Sequence, residues 1–145
     1  MKKLQFALRV FLGGFLLFAG ILHIGPARQE FRAQVPTWLP LDADFVVVAS
    51  GVVEIGLGVL LISGVWRVWV GLATALFFIA IFPGNISQWV TGTSAFGLNT
   101  DEARLIRLFF QPVLVVWVLW STGAWDWLRK KFQIAEVRRI SRDES

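Results

Sequence analysis

Apolar residues in this chain neither alternate nor return once per helical turn; they run on without interruption. Four such runs, over residues 5–24, 45–64, 66–83 and 104–123, are separated by short polar stretches. At ~1.5 Å of rise per helical residue, each run is long enough to cross a hydrocarbon layer ~30 Å thick. The pattern therefore predicts an all-α fold, an integral membrane four-helix bundle with short connections. Residues 1–128 form the four-span bundle, and residues 129–145 follow as a basic tail.

Within the runs, the small residues are the places where helices can approach closely. Gly13, Gly14 and Gly20 lie on the first, Gly51, Gly56 and Gly58 on the second, and Gly71 with Ala75 on the third. In lipid, close backbone packing takes over the part that the hydrophobic effect plays in water. Ser50, Glu54 and Gly58 recur every four residues and share one helix face, which is expected to point inward.

Glu54 is the main exception to the apolar pattern. It stands about halfway along the second run, where a carboxylate is costly unless it is protonated, paired or facing a watery cavity. Counting inward from the loop-bearing edge of each span, Glu54 lies ~13 Å deep, Gln111 ~11 Å and Arg107 ~5 Å, with His23 and Asn85 near the rim. Arg104, Arg107 and Gln111 are spaced three and then four residues apart, which makes one stripe on the fourth span. These positions describe a funnel with Glu54 at its floor. His23, Glu54, Asn85, Arg107 and Gln111 are the candidate ligand-binding residues. A purely structural role for Glu54, paired with Arg107 or bonded to Gln111, is the competing reading.

Two prolines bear on the same region. Pro83, in Phe82-Pro83-Gly84-Asn85, is expected to end the third span and let Asn85 leave the helical path. Pro112 frees a carbonyl one turn back and is expected to bend the fourth span beside the funnel. Asn99 or Thr100 caps that span, and Asp101 and Glu102 in its first turn suit the helix dipole rather than catalysis.

Composition narrows the class further. At 56% apolar residues and a mean hydropathy of +0.64, the chain is too apolar for a soluble single-core domain of 145 residues. No cysteine is present, so thiol chemistry, disulfides and thiolate metal sites are excluded from this chain. A single histidine and no second deep carboxylate leave no metal ligand set. No nucleophile signature or phosphate loop is present, so no catalytic residues are assigned and the sequence defines no enzyme class.

Charge sets an expected orientation. Lys2, Lys3 and Arg9 open the first span, Arg67 lies in the second turn, and Arg129, Lys130, Lys131, Arg138, Arg139 and Arg142 follow the fourth. The positive-inside rule puts both termini in the cytoplasm of a multi-pass protein of the bacterial inner membrane. Trp66, Trp69, Trp120, Trp125 and Trp127 mark one border, Trp38 and Trp89 the other, and only Trp117 falls within a span, as a packing or lipid-facing ring. The net charge of +4 comes largely from the tail, which suits anionic lipid heads and carries no aromatic-basic groove for nucleic acid.

Five motifs in chain order carry a family resemblance. They are Phe18-Ala19-Gly20 with His23, Val35-Pro36-Thr37-Trp38-Leu39-Pro40, Ser50-Gly51 with Glu54-Ile55, Phe82-Pro83-Gly84-Asn85-Ile86, and Arg107-Leu108-Phe109-Phe110-Gln111. Together they resemble the DoxX-like membrane proteins over about residues 10–120. The resemblance implies a four-helix topology and a link to membrane redox systems. It departs from that family's usual pattern at Gly84, where alanine is common, and at Phe109, where proline is common.

Two functional expectations follow. One is an accessory, non-catalytic subunit of a membrane oxidoreductase that binds a small amphipathic ligand such as a quinone, with residues 35–40 either a cap over the bundle mouth or an interfacial anchor. The other is a structural or assembly protein without ligand turnover. The implied partners are the lipid bilayer, redox partner proteins and a second copy of the chain, the last because a transporter of four spans without an inverted repeat would need a dimer.

Overall fold

A computed structural model describes residues 2–93 and 100–144. The elements are α1 (Lys2–Ile24), α2 (Arg28–Arg32), α3 (Ala43–Ser63), α4 (Arg67–Thr91), α5 (Asp101–Thr122) and α6 (Ala124–Asp143). Of these, α1, α3, α4 and α5 are long and apolar enough to cross a membrane, so the four expected spans are present. Large apolar side chains such as Phe11, Phe18, Val52, Leu76 and Ile106 are exposed on their outer faces. In water that would be a liability; against acyl chains it is the expected surface.

The four spans close a ring in which α1 touches α3 and α5, and α4 touches the same two. Leu12, Leu16, Leu61, Val70, Phe78, Leu114 and Val118 meet at its centre. The α1–α3 seam is the most extensive, and the glycines account for it. A Cβ on Gly13 would stand 2.8 Å from the Gly58 carbonyl oxygen, and one on Gly20 would stand 2.7 Å from that of Gly51. The relation is reciprocal, because a Cβ on Gly58 would meet the Gly13 oxygen at 2.7 Å. Both pairs are seven residues apart on antiparallel helices, two helical turns, so they fall on one line of contact. Gly14 and Gly56 lie off that line and face open space. By comparison, α3 and α4 touch only along a short seam.

Helix ends follow local chemistry. Thr100 caps α5 by accepting from the Ala103 N–H at 3.2 Å, while the alternative cap, Asn99, lies outside the described residues. Gly64 ends α3 and Gly123 ends α5, each in the left-handed region (φ 76° and 77°) where a side chain would be strained. After Gly123 the chain resumes as α6, which runs through residue 128 and on through the basic tail, exposed from Arg129 onward.

Pro83 corrects an expectation. The third span does not end there: α4 continues to Thr91 with Pro83 inside it, and Asn85 remains helical. Leaving the helix at this depth would strip several more backbone groups of partners, whereas proline forfeits one hydrogen bond. Helix α5 likewise continues through Pro112. Trp117 packs inward and donates from Nε1 to the Leu8 carbonyl at 3.1 Å, while its ring stacks on Phe11.

Candidate functional site

The end of the bundle that carries the α1–α3 connection holds a cavity of about 250 Å³ in the short α3–α4 seam. His23, Glu54, Asn85, Arg107 and Gln111 all line it, so the structure brings together the five positions picked out by depth and spacing. Ser50 joins Glu54 on the inner face of α3, its hydroxyl donating to the Val47 carbonyl at 2.9 Å. The remaining wall is apolar, with Phe31, Val47, Phe77 and Ile81 contributing.

Glu54 is buried, with 5% of its surface exposed, yet its partner is neither Arg107 nor Gln111. Its Oε2 lies 2.9 Å from His23 Nδ1. That nitrogen is also 2.8 Å from the Ala19 carbonyl oxygen, one helical turn back on α1. A single N–H cannot serve both acceptors well, and it is aligned with Ala19, which leaves the buried Oε2 without a hydrogen bond. The His23 ring is fixed from its other side by Phe31 of α2, stacked with centroids 3.4 Å apart.

Arg107 ties three segments together instead. It donates from Nη2 to Gln34 Oε1 at 2.9 Å and from Nη1 to Gln88 Oε1 at 3.1 Å, joining α5 to the capping segment and to α4. Gln111 accepts from Asn85 Nδ2 at 3.2 Å and donates to the Phe78 carbonyl at 2.9 Å, a buried α4–α5 tie beside the cavity.

Residues 33–40 form the roof. Gln34, Val35, Pro36, Trp38 and Leu39 line the cavity, as expected for a cap over the bundle mouth. Two contacts seat it. Arg28 forms a bidentate ion pair with Asp44 at the start of α3, and the Gln34 carbonyl rests on Gly84, where a Cβ would come within 2.8 Å of it. A side chain at position 84 would lift the roof.

Gln34, Gln88 and Phe31 were not singled out from the sequence. Gln88 follows Asn85 by three residues and so shares its helix face, a signal hidden by reading Pro83 as a helix end. Gln34 and Phe31 lie where no hydrophobic period applies. Gln34 Nε2 is, like Glu54 Oε2, buried without a hydrogen bond. Both residues line the cavity, so its wall contains a donor and an acceptor without hydrogen bonds. Such groups are costly when left unmatched and are the usual contact points of a bound polar group.

Fold and site define the class: a multi-pass helical membrane bundle with a capped polar cavity at one end. Residues 12–122 match the model of the DUF8561 family, a domain of unknown function, and the chain belongs to that family. The match begins on α1, ends with the last residue of α5 and includes the roof and all five candidate residues. No curated protein and no solved structure matches the chain.

Proposed function

We propose that this protein binds a small amphipathic molecule with a quinone-type ring in the capped cavity and serves as an accessory, non-catalytic subunit of a membrane redox system. The observation that carries the reading is the pair of unmatched polar atoms, Glu54 Oε2 and Gln34 Nε2, in one apolar-walled cavity. A ring with two oxygens suits them. The Gln34 amide donates to a carbonyl; Glu54 accepts from a hydroxyl when ionised and donates to a carbonyl when protonated. The same carboxyl therefore serves either the reduced or the oxidised ring and can exchange a proton with it.

Size agrees. At about 250 Å³ the cavity falls below the roughly 300–1,000 Å³ of sites that enclose a whole drug-sized ligand, so it holds a head group and leaves an apolar tail outside. Ala80 and Pro83 line the cavity and are exposed on the flank of α4, which gives a tail a way into the bilayer. The redox assignment leans on the DoxX-like resemblance, and the location, a bacterial inner membrane with both termini cytoplasmic and the cavity in the outer half, leans on the distribution of Lys and Arg.

The test is mass spectrometry of small molecules retained by protein purified from native membranes in mild detergent. A ring compound with an apolar tail is expected to copurify, and Glu54→Gln is expected to lower its retention about tenfold, the equivalent of ~1.4 kcal/mol. The structural and assembly reading has one observation in its favour, the His23–Glu54 contact linking α1 to α3. Unchanged retention in Glu54→Gln with a lowered melting temperature would decide for it.

A further inference from the structure

The opposite end of the bundle, where α1 begins and α3 turns into α4, holds another unmatched group, one that the cavity does not involve. Arg9 is buried, with 7% of its surface exposed, and its Nε has no hydrogen-bond partner. Its guanidinium lies over Gly64, with Cζ and Nη2 each 3.0 Å from where a Cβ would stand, and its contact with a side chain is the Phe6 ring, 5.4 Å from Cζ to the centroid. Gly64 is therefore required twice, for its left-handed backbone and for the space the arginine fills.

A second cation, Arg67, lies at the same end of the bundle, its Nη2 3.9 Å from where a Cβ on Gly123 would stand. Arg67 is close enough for its charge to act on Arg9, and no carboxylate among the described residues forms an ion pair with either. Arg67 is also the first residue of α4, a 25-residue helix whose preceding residue, Trp66, supplies no side-chain cap and has a positive φ of 46°. The opening N–H groups of a helix have no intrahelical partner and carry the positive end of its dipole. Asp126, in the first turn of α6 at the same end, forms no ion pair with either, so two arginines and an uncapped helix start form a corner with donors in excess among the described residues.

We propose that this corner binds a phosphate-bearing group, either a lipid headgroup or free phosphate, held between Arg9, Arg67 and the first turn of α4. Phosphate supplies the acceptors that Arg9 lacks, and helix N-termini with arginine are suited to it. The turn joins two spans, so the corner lies at headgroup level rather than deep in the hydrocarbon. Lys2 and Lys3 on α1 and Arg129 to Lys131 on α6 add positive charge at the same end.

The test is thermal unfolding of the full chain in phosphatidylcholine nanodiscs, repeated with phosphatidylglycerol in the disc and, separately, with inorganic phosphate in the buffer. Wild type is expected to melt higher with at least one of the two. A rise with phosphatidylglycerol alone identifies the headgroup as the source, and a rise with inorganic phosphate alone identifies the free ion. Arg67→Gln, at an exposed position that should fold, is expected to weaken the effect about tenfold, and Arg9→Gln to do the same. Arg138→Gln with Arg139→Gln, exposed further along α6, is the control for bulk positive charge and is expected to leave the effect in place. No rise in wild type, or an equal loss in the α6 control, would overturn the assignment.

Discussion

The two seams of α3 are built on opposite principles. Against α1 the helix presents Gly51 and Gly58, and the backbones come so close that a single added carbon would meet a carbonyl oxygen at 2.7–3.0 Å. Against α4 it presents Val46, Val47, Ser50 and Glu54, and the helices part around a cavity. Dispersion at close range is the main attraction available between helices in lipid, so the first seam holds the bundle together. The second gives up that attraction, and the polar groups that line it reach sideways, Glu54 toward His23 on α1, Asn85 to Gln111 on α5 and Arg107 to Gln34 in the roof, rather than across the gap. A membrane bundle can therefore maintain a cavity between two spans when each of them is secured to a different neighbour.

The largest expected effect comes from breaking the tight seam. Gly58→Leu places a side chain against the backbone of Gly13 and Leu17, and should destabilise by about 1–3 kcal/mol or prevent folding. Thermal unfolding in detergent reads it, and a neutral result would mean that the glycine contact does not hold α1 to α3. Next is Gln111→Leu, which leaves Asn85 Nδ2 without its partner, removes the side-chain donor to the Phe78 carbonyl and should cost about 1–3 kcal/mol by the same measurement.

Gly84→Ala sharpens the comparison at the roof. Its methyl group meets the Gln34 carbonyl, so the expected outcome is a stability change of under ~1 kcal/mol with markedly faster loss of the retained molecule during detergent washing. Retention as firm as in wild type would show that the roof does not hold the guest. The smallest effect is expected from Ala80→Val at the exposed flank of the cavity. Melting should move by less than ~0.5 kcal/mol, while retention, followed by mass spectrometry, falls.

How much of this was legible in the sequence follows from what a one-dimensional pattern encodes. Run length gave the four spans, and depth counted along each span placed His23, Glu54, Asn85, Arg107 and Gln111 at one end of the bundle. Depth gives height and not azimuth. Glu54 and Arg107 are on α3 and α5, which stand diagonally in the ring of helices, so the neighbour that reaches Glu54 is His23 on α1. Proline gave a misleading stop: the cost of one lost hydrogen bond at Pro83 is smaller than that of ending a helix beside a buried cavity, and Gln88 was hidden behind that reading. Gln34 and Phe31 belong to a segment whose placement depends on contacts with Arg107 and His23, and nothing local predicts those. Of the glycines read as packing positions, Gly13, Gly51 and Gly58 meet a neighbour while Gly14 and Gly56 face open space, a division set only by the line of contact between α1 and α3.

The segment that carries the roof is fastened on both sides of the gap it covers, through Arg28 of α2 to Asp44 on α3 and through the Gln34 carbonyl seated on Gly84 of α4. A lid clamped twice does not swing, so traffic with the aqueous phase is hindered and the flank at Ala80 becomes the natural doorway. Any guest then dissolves in the membrane before it docks. Its occupancy will track its mole fraction among the lipids, and a titration expressed per volume of buffer will appear to change affinity whenever the amount of bilayer changes.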